Sequence, residues 1–337
     1  MDAADADALE ASALTRAPKR DGLQPAGVQP TSSPGSLRRW GGLAVGVLVL
    51  GFLGWALVDG WSTVSSYDWE LEPGLLALGV LVLLAFYLAS ALGYGAIVDR
   101  LHHPGPPPLV TLSIWARSLL GRYVPGNVLM VLGRVVLSHE RGVPRRVSLA
   151  ATTYEQALSL GVAAAGAVVF VAVYEGSGDA RLWLLALVPL GLVLLHPRIF
   201  GPLSAWLLRR AGREPLPRLL AARPLAGLLV AYVGVAALLG VGIWLLVRSA
   251  AGAEAGGPAF VGLAFLLSFA VSMIAFIFPS GLGVREGAFA LALAQNVPGS
   301  VAVALSVGAR LVLTLVELAF IAAVVVAERR RARAAPA

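Results

Sequence analysis

Residues 258–296 read PAFVGLAFLLSFAVSMIAFIFPSGLGVREGAFALALAQN. The stretch is apolar almost throughout, yet it is cut in the middle at Phe278-Pro279-Ser280-Gly281-Leu282-Gly283. A second apolar stretch, at about 109–139, is cut in the same way at Tyr123-Val124-Pro125-Gly126-Asn127. Proline lacks the N–H a helix interior needs and glycine is a poor helix former, so each break ends one helix and opens another. In the earlier stretch each half holds only a dozen or so residues. That is too few to cross a hydrocarbon core about 30 Å thick at about 1.5 Å per residue. Both stretches therefore read as re-entrant hairpins with tips inside the membrane, the alternative being ordinary helices joined by loops.

The rest of the chain supplies the membrane context. Of 337 residues, 58% are hydrophobic and only 13% charged, and the mean hydropathy is +0.80. Soluble domains carry about 25% charged residues, which excludes a soluble enzyme. Apolar segments at about 40–61, 74–98, 148–174, 181–196, 224–248 and 301–327 read as membrane spans, the 181–196 segment being short and interrupted by Pro189. Residues 1–37, rich in Ala, Asp, Ser and Pro, read as a disordered tail with no cleavable signal peptide. The absence of cysteine removes disulfides, thiol nucleophiles and thiolate metal sites, and the four histidines have no zinc-ligand spacing, so no metal or other cofactor is expected.

Positive charge orients the chain. Nineteen Lys and Arg lie in the N-terminal tail, the flanks of the first hairpin, the 197–223 loop and the C-terminus, whereas the loops on the other face hold only Arg181 and Arg248. The net charge of +7 is thus a statement about topology rather than about nucleic acid, and both termini are expected in the cytoplasm. The order is span, span, hairpin, span in each half. Three crossings per half turn the second half upside down relative to the first. The expected fold is an all-α polytopic membrane protein of about six transmembrane helices plus two opposed re-entrant hairpins in an inverted repeat. In such folds the broken segments at matching positions point to the substrate site. The expected divisions are the tail at 1–37, a transmembrane domain at 38–328 and a basic cytoplasmic C-terminal tail at 329–337.

Five arginines remain inside apolar segments, namely Arg117, Arg122, Arg134, Arg285 and Arg310, with Glu155, Glu286 and Glu317 beside them. An ionised group at membrane depth costs about 2.5–3.5 kcal/mol on insertion scales and persists where it pairs or serves a pathway. Five cations against three anions leave an excess that suits an anionic ligand. Arg117 and Arg134 have two readings, snorkelling to the cytoplasmic face or a ligand role. Arg122 is nearest the first tip. Glu155 has a structural and a proton-coupling reading, and Glu317 joins it as a coupling candidate. Arg310 and Glu317 are seven residues apart on one helix face and are expected to meet different partners.

The helix starting after Gly283 offers free N–H groups and a partial positive charge, with Arg285 as a bidentate donor suited to phosphate. Pro125-Gly126-Asn127 opens a helix beside Arg122 in the same manner. The candidate substrate-binding set is therefore Arg122, Pro125, Gly126, Asn127, Arg134, Gly281, Gly283, Arg285, Glu286 and Arg310.

Two stretches also carry a resemblance. Arg122-Tyr123-Val124-Pro125-Gly126-Asn127 with Arg134, and Pro279-Ser280-Gly281-Leu282-Gly283-Val284-Arg285-Glu286-Gly287 with Arg310, resemble the signature stretches of flippase-like membrane proteins related to the transmembrane region of lysylphosphatidylglycerol synthase. The similarity extends over roughly residues 40–330. Ser280 stands where members of that family commonly have glycine. The resemblance implies lipid translocation, or an accessory role in moving lipid-linked precursors. With the chain ending at Ala337, the aminoacyl-transfer activity of the synthase is expected to be absent.

The sequence thus points to a transporter of the cell (inner) membrane that moves an anionic phospholipid or a polyprenyl-phosphate-linked headgroup between leaflets. Its partners would be membrane lipids and envelope-biosynthesis enzymes. The competing readings are a membrane-embedded lipid-modifying transferase and a non-transporting accessory protein. Against the transferase, no nucleophile elbow, Asp-rich motif or metal cluster is present in the sequence.

Overall fold

The computed structural model describes residues 58–123, 128–174, 220–274 and 283–334, with isolated positions at 51, 54, 55 and 202. Every regular element among the described residues is helical. A short helix α1 (Trp61–Ser66) precedes α2 (Pro73–Leu101). The first broken stretch is α3 (Pro108–Leu119), a 3-10 turn (Leu120–Tyr123) and α4 (Val128–His139), followed by α5 (Arg145–Tyr174). The second half has α6 (Ala222–Ala251), the broken pair α7 (Pro258–Ile274) and α8 (Val284–Leu293), and α9 (Gly299–Ala334). Prolines open α2 and α3, where the missing N–H would be unpaired anyway.

Helices α2, α5, α6 and α9 are long and apolar enough to cross a membrane. They correspond to the expected spans at 74–98, 148–174, 224–248 and 301–327. The expected span at 40–61 is described only in part, and that at 181–196 lies outside the described residues. Exposed Leu81, Val230, Leu311 and Leu315 show that these helices present apolar side chains outward, as a lipid solvent requires. The last helix runs through the basic stretch Arg329–Arg333 to Ala334.

The two halves repeat in their packing. Helix α2 packs on α3 as α6 packs on α7; α3 on α4 as α7 on α8; α4 on α5 as α8 on α9. Across the halves, α9 packs on α3 and α5 on α7. Exchanging α2–α5 for α6–α9 maps this set onto itself. The equivalent helices α2 and α6 form the central contact and run antiparallel: Gly79 meets Leu246, Leu83 meets Gly242 and Gly93 meets Tyr232. A Cβ on Gly242 would lie 2.7 Å from Leu83, so the missing side chain is what allows this approach, as is usual between membrane helices. Antiparallel equivalents are what an inverted repeat demands.

At the acidic end of this pair the segment after α1 is strapped to the end of α6. The Glu70 and Glu72 N–H groups donate to the Ala250 and Ser249 carbonyls at 3.1 and 2.7 Å. Burial, together with Glu254, Glu70 and Asp68 nearby, holds the Tyr67 hydroxyl above its usual titration range.

Candidate functional site

Each embedded arginine is placed by its helix beside a particular partner. Arg134 on α4 is 1% exposed. It pairs with Glu155 on α5, donates from Nε to Ser118 Oγ at 3.0 Å, and lies over the rings of Tyr94 and Trp115. Trp115 Nε1 donates to the other Glu155 oxygen at 2.7 Å. Arg134 does not snorkel: it is sealed inside the first half, with its charge and planar face both satisfied.

Arg117 and Arg141 converge on Glu328 of α9, at 2.5 and 2.7 Å, and Ser113 Oγ donates to the same carboxylate. Glu328 is a residue the sequence count of three embedded carboxylates omits. Its presence corrects that count: Arg117 is neutralised and does not contribute to the excess.

Helix α9 also carries Arg310 and Glu317, and they face different partners. Arg310 Nε lies 3.4 Å from Glu286 Oε1, while Glu317 Oε2 accepts from Arg122 Nη1 and from the Tyr87 hydroxyl, each at 2.9 Å. Arg122 of the first broken pair thus reaches a carboxylate on α9, while Arg310 of α9 reaches a carboxylate on α8. Glu286 does double duty, because its Oε2 also accepts the Gly283 N–H at 2.6 Å. Gly283 has φ +84°, which favours glycine, and it lets the turn fold back so that this bond can form. The bond corrects the reading of the α8 N-terminus as an open anion site. The carboxylate of Glu286 already sits on the helix start, satisfies an N–H there and opposes the partial positive charge.

Arg285 is different. It is 7% exposed, and no carboxylate pairs with it among the described residues. Its guanidinium lies over Phe265 at 4.3 Å and Phe269 at 5.6 Å from the ring centroids, and its Nε is buried without a hydrogen-bond partner. Stacking on aromatic faces replaces part of its hydration but none of its counter-charge.

These groups meet at one cavity of about 170 Å³, lined by Arg122, Arg285, Arg310, Glu155 and Tyr87, with Gln156, Ser159 and Tyr232. Of the residues singled out in the sequence, it gathers Arg122, Arg285, Arg310 and Glu155. Arg134, Glu286 and Glu317 stand behind it as their partners. Pro125, Gly126, Asn127 and Gly281 lie outside the described residues. Tyr87, Trp115, Tyr232, Phe265 and Glu328 were not anticipated. A tyrosine or tryptophan inside an apolar span needs a partner for its polar atom, and that requirement was the available signal for three of them. Among the described residues no cluster of His, Asp and Glu that would hold a metal is found.

The arrangement defines a class: a polytopic helical membrane protein in which the helices α2 to α9, the two broken pairs among them, line one positively biased cavity. Residues 39–321 match the family described as the lysylphosphatidylglycerol synthase TM region, and the chain belongs to that family. No curated protein gives a significant match to the chain.

Proposed function

We propose that the protein moves an anionic lipid headgroup, that of a phospholipid or of a polyprenyl-phosphate-linked lipid, between membrane leaflets, and that it does so as a transporter and not as an enzyme. The observation that carries the reading is Arg285, a buried cation facing the cavity with no carboxylate partner among the described residues. An unpaired charge at that depth is expensive to keep and is retained where a ligand completes it. Acyl chains remain in lipid while the polar part crosses through the protein. The proposed setting is the cell (inner) membrane with both termini cytoplasmic, on the charge distribution of the loops. Envelope-biosynthesis enzymes as partners rest on the basic 197–223 loop, which lies almost entirely outside the described residues.

Of the two coupling candidates, Glu317 is the better placed. Its arginine partner, Arg122, lines the cavity, whereas Arg134, the partner of Glu155, does not. Protonating Glu317 would release Arg122 toward an anion. The test is leaflet exchange of fluorescent phospholipid by the purified chain in vesicles. Arg285→Ala is expected to abolish exchange, and Arg285→Lys to restore part of it, since lysine keeps the charge but loses the bidentate fork. Exchange by Arg285→Ala at the wild-type rate, with the protein monodisperse, would overturn the reading.

A further inference from the structure

We propose that Glu328 is the lock of a gate at the basic end of the molecule: its carboxylate clasps α3 and the turn after α4 to α9, and its release opens the cavity to that face. The proposal rests on the translocation reading and adds to it the group that controls access to the same cavity.

Helix α3 stands between the cavity and the clasp. Trp115 on one side of α3 lines the cavity, its ring edge-on to Phe320 of α9 at 6.2 Å. Ser113 and Arg117, one turn apart on the other side, both donate to Glu328 Oε2 at 2.5 Å, and Arg141 from the turn after α4 donates to Oε1 at 2.7 Å. One carboxylate thus fastens the first broken pair to the last helix. Glu328 lies eleven residues beyond Glu317, about 16 Å of helical rise, so the clasp sits outside the cavity and takes no part in its lining.

Three features suit this contact to opening. Arg117 and Arg141 keep 36% and 42% of their side-chain surface exposed, against 1% for Arg134 in its sealed pair with Glu155, so water competes for the clasp and not for the core pair. Two guanidiniums are drawn to one carboxylate, and they repel each other once it lets go. The Arg117 Nε is buried without a hydrogen-bond partner, so the clasped arrangement leaves that arginine incompletely satisfied.

The inverted repeat supplies a comparison at the other end. The crossing of α5 on α7 is the equivalent of α9 on α3. Tyr174, the last of the 30 residues of α5, stands there where Glu328, the thirtieth residue of α9, stands here. Its ring meets that of Phe260 at 5.1 Å, and Phe170 meets the same ring at 5.5 Å. No ion pair joins α5 to α7 among the described residues. Such crossings are what must part when one repeat rocks against the other around a central site. Ring packing holds by apolar burial. Of the two crossings, the basic one is therefore the one that charge can work.

The experiment uses the full chain with Ser159, which lines the cavity, replaced by cysteine in a sequence that has none. Reaction of that thiol with an impermeant methanethiosulfonate is timed from the basic face in inverted membrane vesicles and from the acidic face in intact cells. Glu328→Gln is expected to speed labelling from the basic face by roughly two- to thirty-fold, the worth of two solvated ion pairs. Labelling from the acidic face should not change. Raising sodium chloride from about 0.15 M to about 1 M shortens the Debye length from about 8 to about 3 Å. It should speed the Ser159→Cys chain but not its Glu328→Gln derivative, which carries the same charges around the thiol. Arg117→Glu combined with Glu328→Arg again places one carboxylate between two guanidiniums and should restore the slow rate, and Tyr174→Leu should leave the basic-face rate alone. An unchanged rate in monodisperse Glu328→Gln, or acceleration from both faces, would overturn the proposal. If Glu328→Gln is not recovered folded, the absence of a salt response in the Ser159→Cys chain overturns it alone. No lipid moves in this measurement, so its failure leaves translocation standing, and a chain that exchanges no lipid still has its clasp decided by labelling.

Discussion

Replacing Arg285 with methionine should make the protein more stable. The side chain is buried, its Nε is unpaired, and its compensation among the described residues is the stack on Phe265 and Phe269. Placing a cation at membrane depth costs about 2.5–3.5 kcal/mol on insertion scales. The aromatic stack returns about 0.5–2 kcal/mol. Methionine keeps the length and the apolar contact with both rings, so Arg285→Met is expected to stabilise by about 0.5–3 kcal/mol, the difference between those two ranges. Arg134→Met is the control with the opposite sign. It removes the partner of a buried glutamate and should destabilise by about 3–5 kcal/mol, a large share of a total stability of about 5–15 kcal/mol. Both are read from equilibrium unfolding of the purified chain in mixed detergent and SDS micelles, followed by tryptophan fluorescence, without added anionic lipid. Unfolding of Arg285→Met at lower SDS than the wild type would show that the guanidinium has a stabilising partner in the native state. Arg285 would then not be a cation that an anionic ligand completes.

Gly283→Ala should destabilise by about 1–3 kcal/mol, because the φ of +84° at Gly283 is strained for a residue with a Cβ and the turn also holds the bond to Glu286; an unchanged SDS midpoint would refute this. Cysteines at Ser65 and Gly178 should react with an impermeant thiol reagent added outside cells while one at Ala211 should not, and labelling of Ala211 from outside would overturn the proposed orientation.

The architecture was legible because its signals are local. Four apolar runs become α2, α5, α6 and α9 within three residues of their expected ends, except that α9 runs seven residues further, since a lipid solvent forces every backbone group into a helix. The two breaks were legible because proline and glycine act on their own backbone. The site was legible only in part. That Arg122, Arg285 and Arg310 sit in apolar surroundings can be read from the chain, but pairing is a property of tertiary packing. Arg117 finds Glu328 and Arg122 finds Glu317 across nearly two hundred residues or more of sequence, so it was hidden that Arg285 is the cavity arginine without a carboxylate among the described residues. The same is true of Glu286, whose position three residues after Gly283 marks a capping arrangement in soluble helices but was read here as part of a ligand site. Tyr232 gives no sequence signal beyond being polar-tipped in an apolar run.

Helix α9 holds Arg310, Glu317 and Glu328 at intervals of seven and eleven residues, which are close to two and three whole turns and keep all three on one stripe. The stripe touches the second broken pair at one point and the first at two. A helix fastened at these three points ties the two broken pairs together, and a tilt about Glu317 would carry Arg310 and Glu328 in opposite directions. Under the proposed translocation, such a coupling would keep the two faces from opening together and so would spare the membrane's ion gradients.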